Sequence, residues 1–178
     1  MNRLDILIAY LKEFRLKPRP KVDDFEHKLI IQKTVCLLQL MGEKMDYSYS
    51  LYIRGPYSPD LTQELYANKE RIENLKTEHS LSQKEKERFC KIWEATDGLN
   101  PSRLEIAGTY SFLVKGLHMS SKEAIIKLKK LKPFFSESQI AVGISRSKLL
   151  FPPSEQEVER MKAEFKAWED ASDSDANY

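Results

Sequence analysis

The stretch from Lys28 to Leu65, KLIIQKTVCLLQLMGEKMDYSYSLYIRGPYSPDLTQEL, constrains the fold more than any other, because its hydrophobic period changes twice with no linker between. Ile31, Val35, Leu38 and Met41 recur at helical intervals, and Leu29, Ile30, Cys36, Leu37 and Leu40 widen the apolar face. A helix apolar over so much of its circumference belongs in the middle of a fold. Gly42 stands where a left-handed residue would close that helix. From Tyr47 to Ile53 the period becomes two, with Tyr47, Tyr49, Leu51 and Ile53 on one side and Ser48, Ser50 and Tyr52 on the other. This predicts a strand with one buried face. Gly55 and Pro56 interrupt it. Ser58, Pro59 and Asp60 then supply a capping hydroxyl, a first-turn proline and a carboxylate for the next helix, which carries Leu61 and Leu65.

The segment from Lys28 to Leu61 resembles the signature of the bacterial and archaeal YwgA-like proteins and, more remotely, of the Panacea or SocA-type antitoxin domain. In those families a "KLQK" helix leads to an aromatic strand and a "GP" turn. The matching or nearly matching positions are Ile31, Gln32, Lys33, Leu37, Leu38, Gly42, Tyr52, Gly55, Pro56, Tyr57, Ser58 and Leu61. A weaker likeness runs from Leu104 to Leu150. The resemblance implies a mostly helical domain and, for the Panacea branch, direct binding and neutralisation of toxin proteins, with an adaptor role as a variant. Ile30 stands at the first lysine of "KLQK", and Tyr57 stands where Panacea has valine. Both departures favour the YwgA-like branch, which implies no activity of its own.

A chain of 178 residues, 41% apolar and 31% charged, buries a real core, and the default is a soluble globular protein. No run of about eighteen apolar residues is present to span a membrane. The opening MNRLDILIAYLKEF carries Asp5 and Glu13 within a helical pattern and lacks a small-residue cleavage site. It reads as a folded helix of a cytoplasmic protein. Cys36 and Cys90 both lie in helical segments beside apolar neighbours, and two isolated thiols in such places read as core residues.

Helix starts and stops punctuate the rest of the chain. Leu4, Leu7, Ile8, Leu11 and Phe14 form an amphipathic helix that Pro18 and Pro20 end, and Asp23 or Asp24 caps the next. The polar LYANKERIENLKTEHS reads as a helix continuing into a surface loop. Ser82 with Glu85, Ser120 with Glu123, Ser136 with Gln139 and Ser154 with Glu157 are four capping boxes, and Asn100 with Pro101 opens a further helix. The expected architecture is mainly α, a multi-helix domain over 1–150 with one short strand or small hairpin inserted between helices. Residues 101–150 form a basic three-helix subregion. A C-terminal helix bearing Val158, Met161, Phe165 and Trp168 and a disordered acidic tail occupy 151–178.

Net charge is only +2, yet its distribution is uneven. From Lys115 to Leu150 eight basic residues face Glu123 and Glu137, a balance of +6, whereas 151–178 balances at −5. Three helices ending in a basic segment admit a helix-turn-helix reading, with lysines such as Lys127, Lys129, Lys130 and Lys132 on phosphates and Ser136, Gln139, Ser145, Arg146 and Lys148 available to a recognition helix, Arg and Gln suiting base edges. The competing reading makes the lysines a solvated face. Between the last two helices, Phe134 and Phe135 suit a buried corner better than a base-stacking platform.

His27, His79 and His118 share no helical face, as a zinc pair would require, and no nucleophile elbow, Walker loop or dinucleotide fingerprint occurs. No catalytic residue, metal ligand or cofactor is therefore expected, and the chain is not read as an enzyme. Tyr52, Arg54 and Tyr57, around the Gly-Pro corner, are amphipathic side chains of the kind that anchor protein interfaces. The leading expectation is a small interaction module, antitoxin-like or adaptor, acting by stoichiometric binding of a partner protein through those three residues. The alternative is a DNA-binding transcriptional regulator using the basic helices.

Overall fold

The computed structural model describes residues 2–13 and 21–152, together with 155, 156, 158–160, 162, 163 and 166. The expectations for Phe14, Pro18 and Pro20, and those for Ser154, Glu157, Met161, Phe165, Trp168 and the acidic tail, lie outside these residues.

Among the described residues the fold is mainly α, with a two-stranded hairpin between helices. The order is α1 (Arg3–Glu13), α2 (Phe25–Leu40), β1 (Ser50–Tyr52), β2 (Gly55–Tyr57), α3 (Pro59–Ala67), α4 (Lys69–Glu73), α5 (Gln83–Ala95), α6 (Pro101–Ser111), a π-helical stretch (Phe112–Gly116), α7 (Ser121–Leu131) and α8 (Glu137–Lys148). The helix starts follow their capping chemistry. Asp24 accepts the His27 N–H, which places the start of α2 at Phe25, three residues earlier than its apolar periodicity suggests. Ser58 accepts the Leu61 N–H, and Ser82, Ser120 and Ser136 each close a full capping box. The polar segment after α3 breaks at Asn68 into the short α4.

Two helices are enclosed on nearly all sides. The ten residues Leu29 to Leu38 of α2 are all buried, as are the eight from Leu104 to Ser111 of α6. These two pack on one another, and α8 packs on the far side of α6. One apolar cluster gathers α1, α2, Tyr47, Leu61 and Leu65 of α3, Ile72 and the apolar face of α5. A second, centred on Ile106, Tyr110, Leu113, Ala124, Leu128, Ile140 and Ile144, lies among α6, α7 and α8. Helix α6 therefore joins the two: Leu104 belongs to the first cluster, and Ile106 and Tyr110 to the second.

The predicted strand is shorter than its alternation implied. Ser50 pairs with Tyr57, Leu51 with Pro56 and Tyr52 with Gly55, antiparallel, which leaves Ile53 and Arg54 as a two-residue turn. Tyr47 is buried and Tyr49 and Leu51 half-buried, but Ile53 is 77% exposed, because the turn lifts it off the face its neighbours share. Gly55 and Pro56 do not end the sheet; they form its second strand. Cys36 is buried as expected, whereas Cys90 is exposed on α5, whose core face is carried by Phe89 and Ile92.

Candidate partner-binding site

Three residues per strand are too few to hold a hairpin together in water. Side chains from the helices complete its hydrogen bonding. Lys33 of α2 donates to the Pro56 carbonyl at 2.6 Å, and Lys132, just past the end of α7, donates to the Ile53 carbonyl at 2.7 Å. Gln32 donates to the Ser58 carbonyl at 2.9 Å, and its Oε1 accepts the Ser58 N–H at 2.9 Å. Glu105 of α6 lies beneath the turn. Its carboxylate sits 2.6 Å from Lys132 Nζ and 3.6 Å from Arg54 Nη1. Lys33, Lys132 and Glu105 are all buried.

Close approach of hairpin and α6 depends on Gly55. Its φ is +90°, and a Cβ there would lie 2.1 Å from Thr109 Oγ1. The Lys33 stem runs across Gly108 of the same helix. Burial holds the Lys33 amine down to about 8, and the nearby charges of Lys132 and Arg54 act in the same direction. A buried ammonium with only a carbonyl as acceptor is costly, so it persists where the fold needs that hydrogen bond.

On the outer side of the hairpin a cleft of about 420 Å³ opens between the start of α2, the turn and α3. Phe25 and Leu29 form one wall, Tyr52, Ile53 and Tyr57 another, and Tyr66 of α3 closes it. Phe25 is 60% exposed, Tyr52 51% and Tyr66 46%. The Tyr52 and Tyr57 rings meet edge to face with centroids 5.3 Å apart, and the Arg54 guanidinium lies 5.2 Å from the Phe25 ring centroid. Lys28 donates to the Tyr66 hydroxyl at 2.8 Å. These contacts set the aromatic side chains in one arrangement without covering them.

The structure therefore brings Tyr52, Arg54 and Tyr57 together at one cleft. Sequence reasoning missed Phe25, which lies ahead of the apolar periodicity of α2, and Tyr66, which is embedded in a polar run. The signals that point to them are the Asp24 cap, which starts α2 at Phe25, and the helical spacing of Thr62 and Tyr66 on α3.

The residues singled out for nucleic acid fall differently. Lys127, Lys129, Lys130, Gln139 and Lys148 are exposed. Lys129 pairs with Glu137 at 2.8 Å, the Gln139 side chain is held in the capping box of α8, and Arg146 donates to the Glu94 carbonyl at 3.3 Å. Lys132 is corrected outright. It is not a solvated lysine but a fully buried one, because the chain turns inward at the end of α7 and delivers its amine to Glu105 and Ile53. Phe134 is corrected in the opposite sense: it is 58% exposed, and only Phe135 packs toward the second cluster.

Among the described residues, no three or more His, Cys, Asp or Glu side chains are grouped to hold a metal ion, and no helix is long and apolar enough to cross a membrane. His27 accepts the Lys21 N–H, and His79 lies 3.3 Å from Glu85, so both take part in local structure at helix starts. No protein-family model, no curated protein and no solved structure matches the chain.

Proposed function

We propose that this protein is a small cytoplasmic interaction module, of the antitoxin or adaptor kind, which acts by stoichiometric binding of a partner protein at the hairpin cleft. One observation carries the reading. Of the ten large apolar side chains exposed among the described residues, four (Phe25, Tyr52, Ile53 and Tyr66) line this single cleft. Scattered exposed apolar residues are ordinary on a protein surface, whereas their gathering at one concave place marks an interaction site. Tyrosine and arginine dominate the energetics of such surfaces because they combine large contact area with polar tips. A face positioned by buried hydrogen bonds also loses little conformational entropy when a partner arrives.

The test is affinity capture from native cells with nuclease present, comparing the wild-type chain with Tyr52→Ala and Arg54→Ala. Both residues are exposed, and unchanged thermal unfolding would verify that each variant is folded. A partner held one-to-one by the wild type and lost by both variants supports the reading. Retention by the folded variants, or recovery only of nucleic acid, removes it.

A further inference from the structure

The charge of the cleft is as one-sided as its apolarity. Lys28, Lys33 and Arg54 line it, and among the described residues no aspartate or glutamate does. The carboxylate near its floor, Glu105, is already held at 2.6 Å by Lys132, so it is shared between that lysine and Arg54. Lys33 spends its proton on a carbonyl, and Lys28 spends one on a tyrosine hydroxyl. Hydrogen bonds to neutral oxygens do not cancel these charges, and the acids that act on them, Asp23 on Lys28 and Glu105 on Lys33, stand outside the cleft lining. The Arg54 side chain is 57% exposed and lies against Phe25, so a cation stands at the edge of the aromatic wall and not apart from it.

We propose that the cleft takes a short acidic–aromatic peptide segment of the partner, a carboxylate set within a residue or two of a large apolar side chain. The carboxylate meets Arg54, with Lys28 as a second cation on the cleft lining, and the apolar side chain lies on Phe25, Tyr52 and Tyr66. This deepens the interface reading and rests on it. Arginine is the donor suited to such a group, since its planar fork grips a carboxylate at two points while its face stays on the ring beneath. A basic segment would meet like charges at Arg54 and Lys28, and the one carboxylate near Arg54, Glu105, is buried against Lys132. A nucleic-acid strand needs cations strung along a track that follows its backbone, and here they form one compact cluster.

The experiment is a selection of phage-displayed random heptapeptides on the full chain. The leading peptide is then synthesised together with its carboxamide version, in which each Asp or Glu becomes Asn or Gln, and with a Lys version. Affinities are read by fluorescence polarisation against the wild type, Tyr52→Ala and Arg54→Glu. The expected result is a pool enriched in Asp or Glu beside Phe, Leu or Trp. The carboxamide version and Arg54→Glu should each weaken binding at least about tenfold, and the Lys version should bind Arg54→Glu better than it binds the wild type. A pool with no acidic bias whose binding still needs Tyr52 overturns this inference and leaves the interface reading standing. No enrichment on the folded chain, or enrichment indifferent to both residues, removes both. A labelled oligo-dT probe binding through Tyr52 and Arg54, with no peptide selected, overturns the proposal in favour of nucleic acid.

Discussion

The Nζ of Lys132 and the Oε1 of Glu105 lie 2.6 Å apart with both side chains out of solvent, and the same lysine holds the carbonyl of Ile53 at the tip of the hairpin. A buried pair of this kind contributes less through its attraction than it would cost to break. Removing one partner strands a charge in the interior, at about 3–5 kcal/mol, whereas replacing both with apolar groups of similar volume is often neutral. Lys132→Ala and Glu105→Ala should each destabilise the protein by that amount in urea titrations. The double variant Lys132→Met/Glu105→Met should cost much less than the two single costs together. Additive losses would mean that the pair is not coupled.

Gly55→Ala meets two obstacles at once. The residue sits at φ +90°, where an L side chain is strained by about 1–3 kcal/mol, and the new methyl would collide with Thr109 Oγ1. The double change Gly55→Ala/Thr109→Ala removes the hydroxyl but not the strain. Thermal unfolding should show a large loss for the single variant and a partial recovery in the double.

Gln32 satisfies both backbone polar groups of Ser58 in a buried setting. Gln32→Leu preserves bulk and leaves the Ser58 N–H without a partner, at about 1–3 kcal/mol, while the Ser58 carbonyl keeps the Thr62 N–H at 3.2 Å. Gln32→Glu keeps the acceptor for the N–H and should be less harmful at low pH, where a protonated carboxyl can donate to the carbonyl. A urea midpoint equal to wild type in Gln32→Leu would show that the Ser58 N–H finds another partner.

Lys33 links stability to pH in a calculable direction. Its amine releases its proton near pH 8 in the folded chain and near 10.5 when unfolded. Below pH 8 both states carry the proton, and the folded one bears the full cost of burying it. Between pH 8 and 10.5 the unfolded chain binds more protons, so this group makes stability rise with pH, by about 3 kcal/mol at most. Tyr10, Tyr47 and Tyr49, raised chiefly by burial, work in the opposite sense above pH 10. The informative quantity is therefore the difference between wild type and Lys33→Met, measured from pH 7 to 10.5. It should move in favour of the wild type as pH rises, and a flat difference would remove Lys33 from the account.

The parts of this fold that were legible in sequence are those governed by local chemistry. Ser82, Ser120, Ser136, Asn100 and Ser58 mark helix starts because a hydroxyl or amide oxygen three residues before a free N–H needs nothing from the rest of the chain. The placing of Tyr52, Arg54 and Tyr57 at one corner was also readable, since a two-residue turn keeps them together. What could not be read was any feature set by contacts distant in sequence. Lys132 is buried only because Glu105 and the Ile53 carbonyl come to it from α6 and the hairpin. Phe134, two residues on, takes the exposed position its composition argued against. Phe25 and Tyr66 lie on one cleft because α2 and α3 meet at Lys28–Tyr66 and Gln32–Thr62, contacts between residues distant in the chain that neither segment encodes alone.

The hydrogen bond from Lys132 to Ile53 reaches across seventy-nine positions of chain, from the end of a helix held by the second apolar cluster to the wall of the cleft. If the cleft is the binding site proposed above, its occupancy and the docking of α7 are linked through this bond. A ligand that prefers the ordered turn raises the free energy needed to undock α7, by an amount fixed by its concentration relative to its dissociation constant. Amide hydrogen exchange in α7 should slow when the cleft is filled, although no residue from α7 touches the ligand.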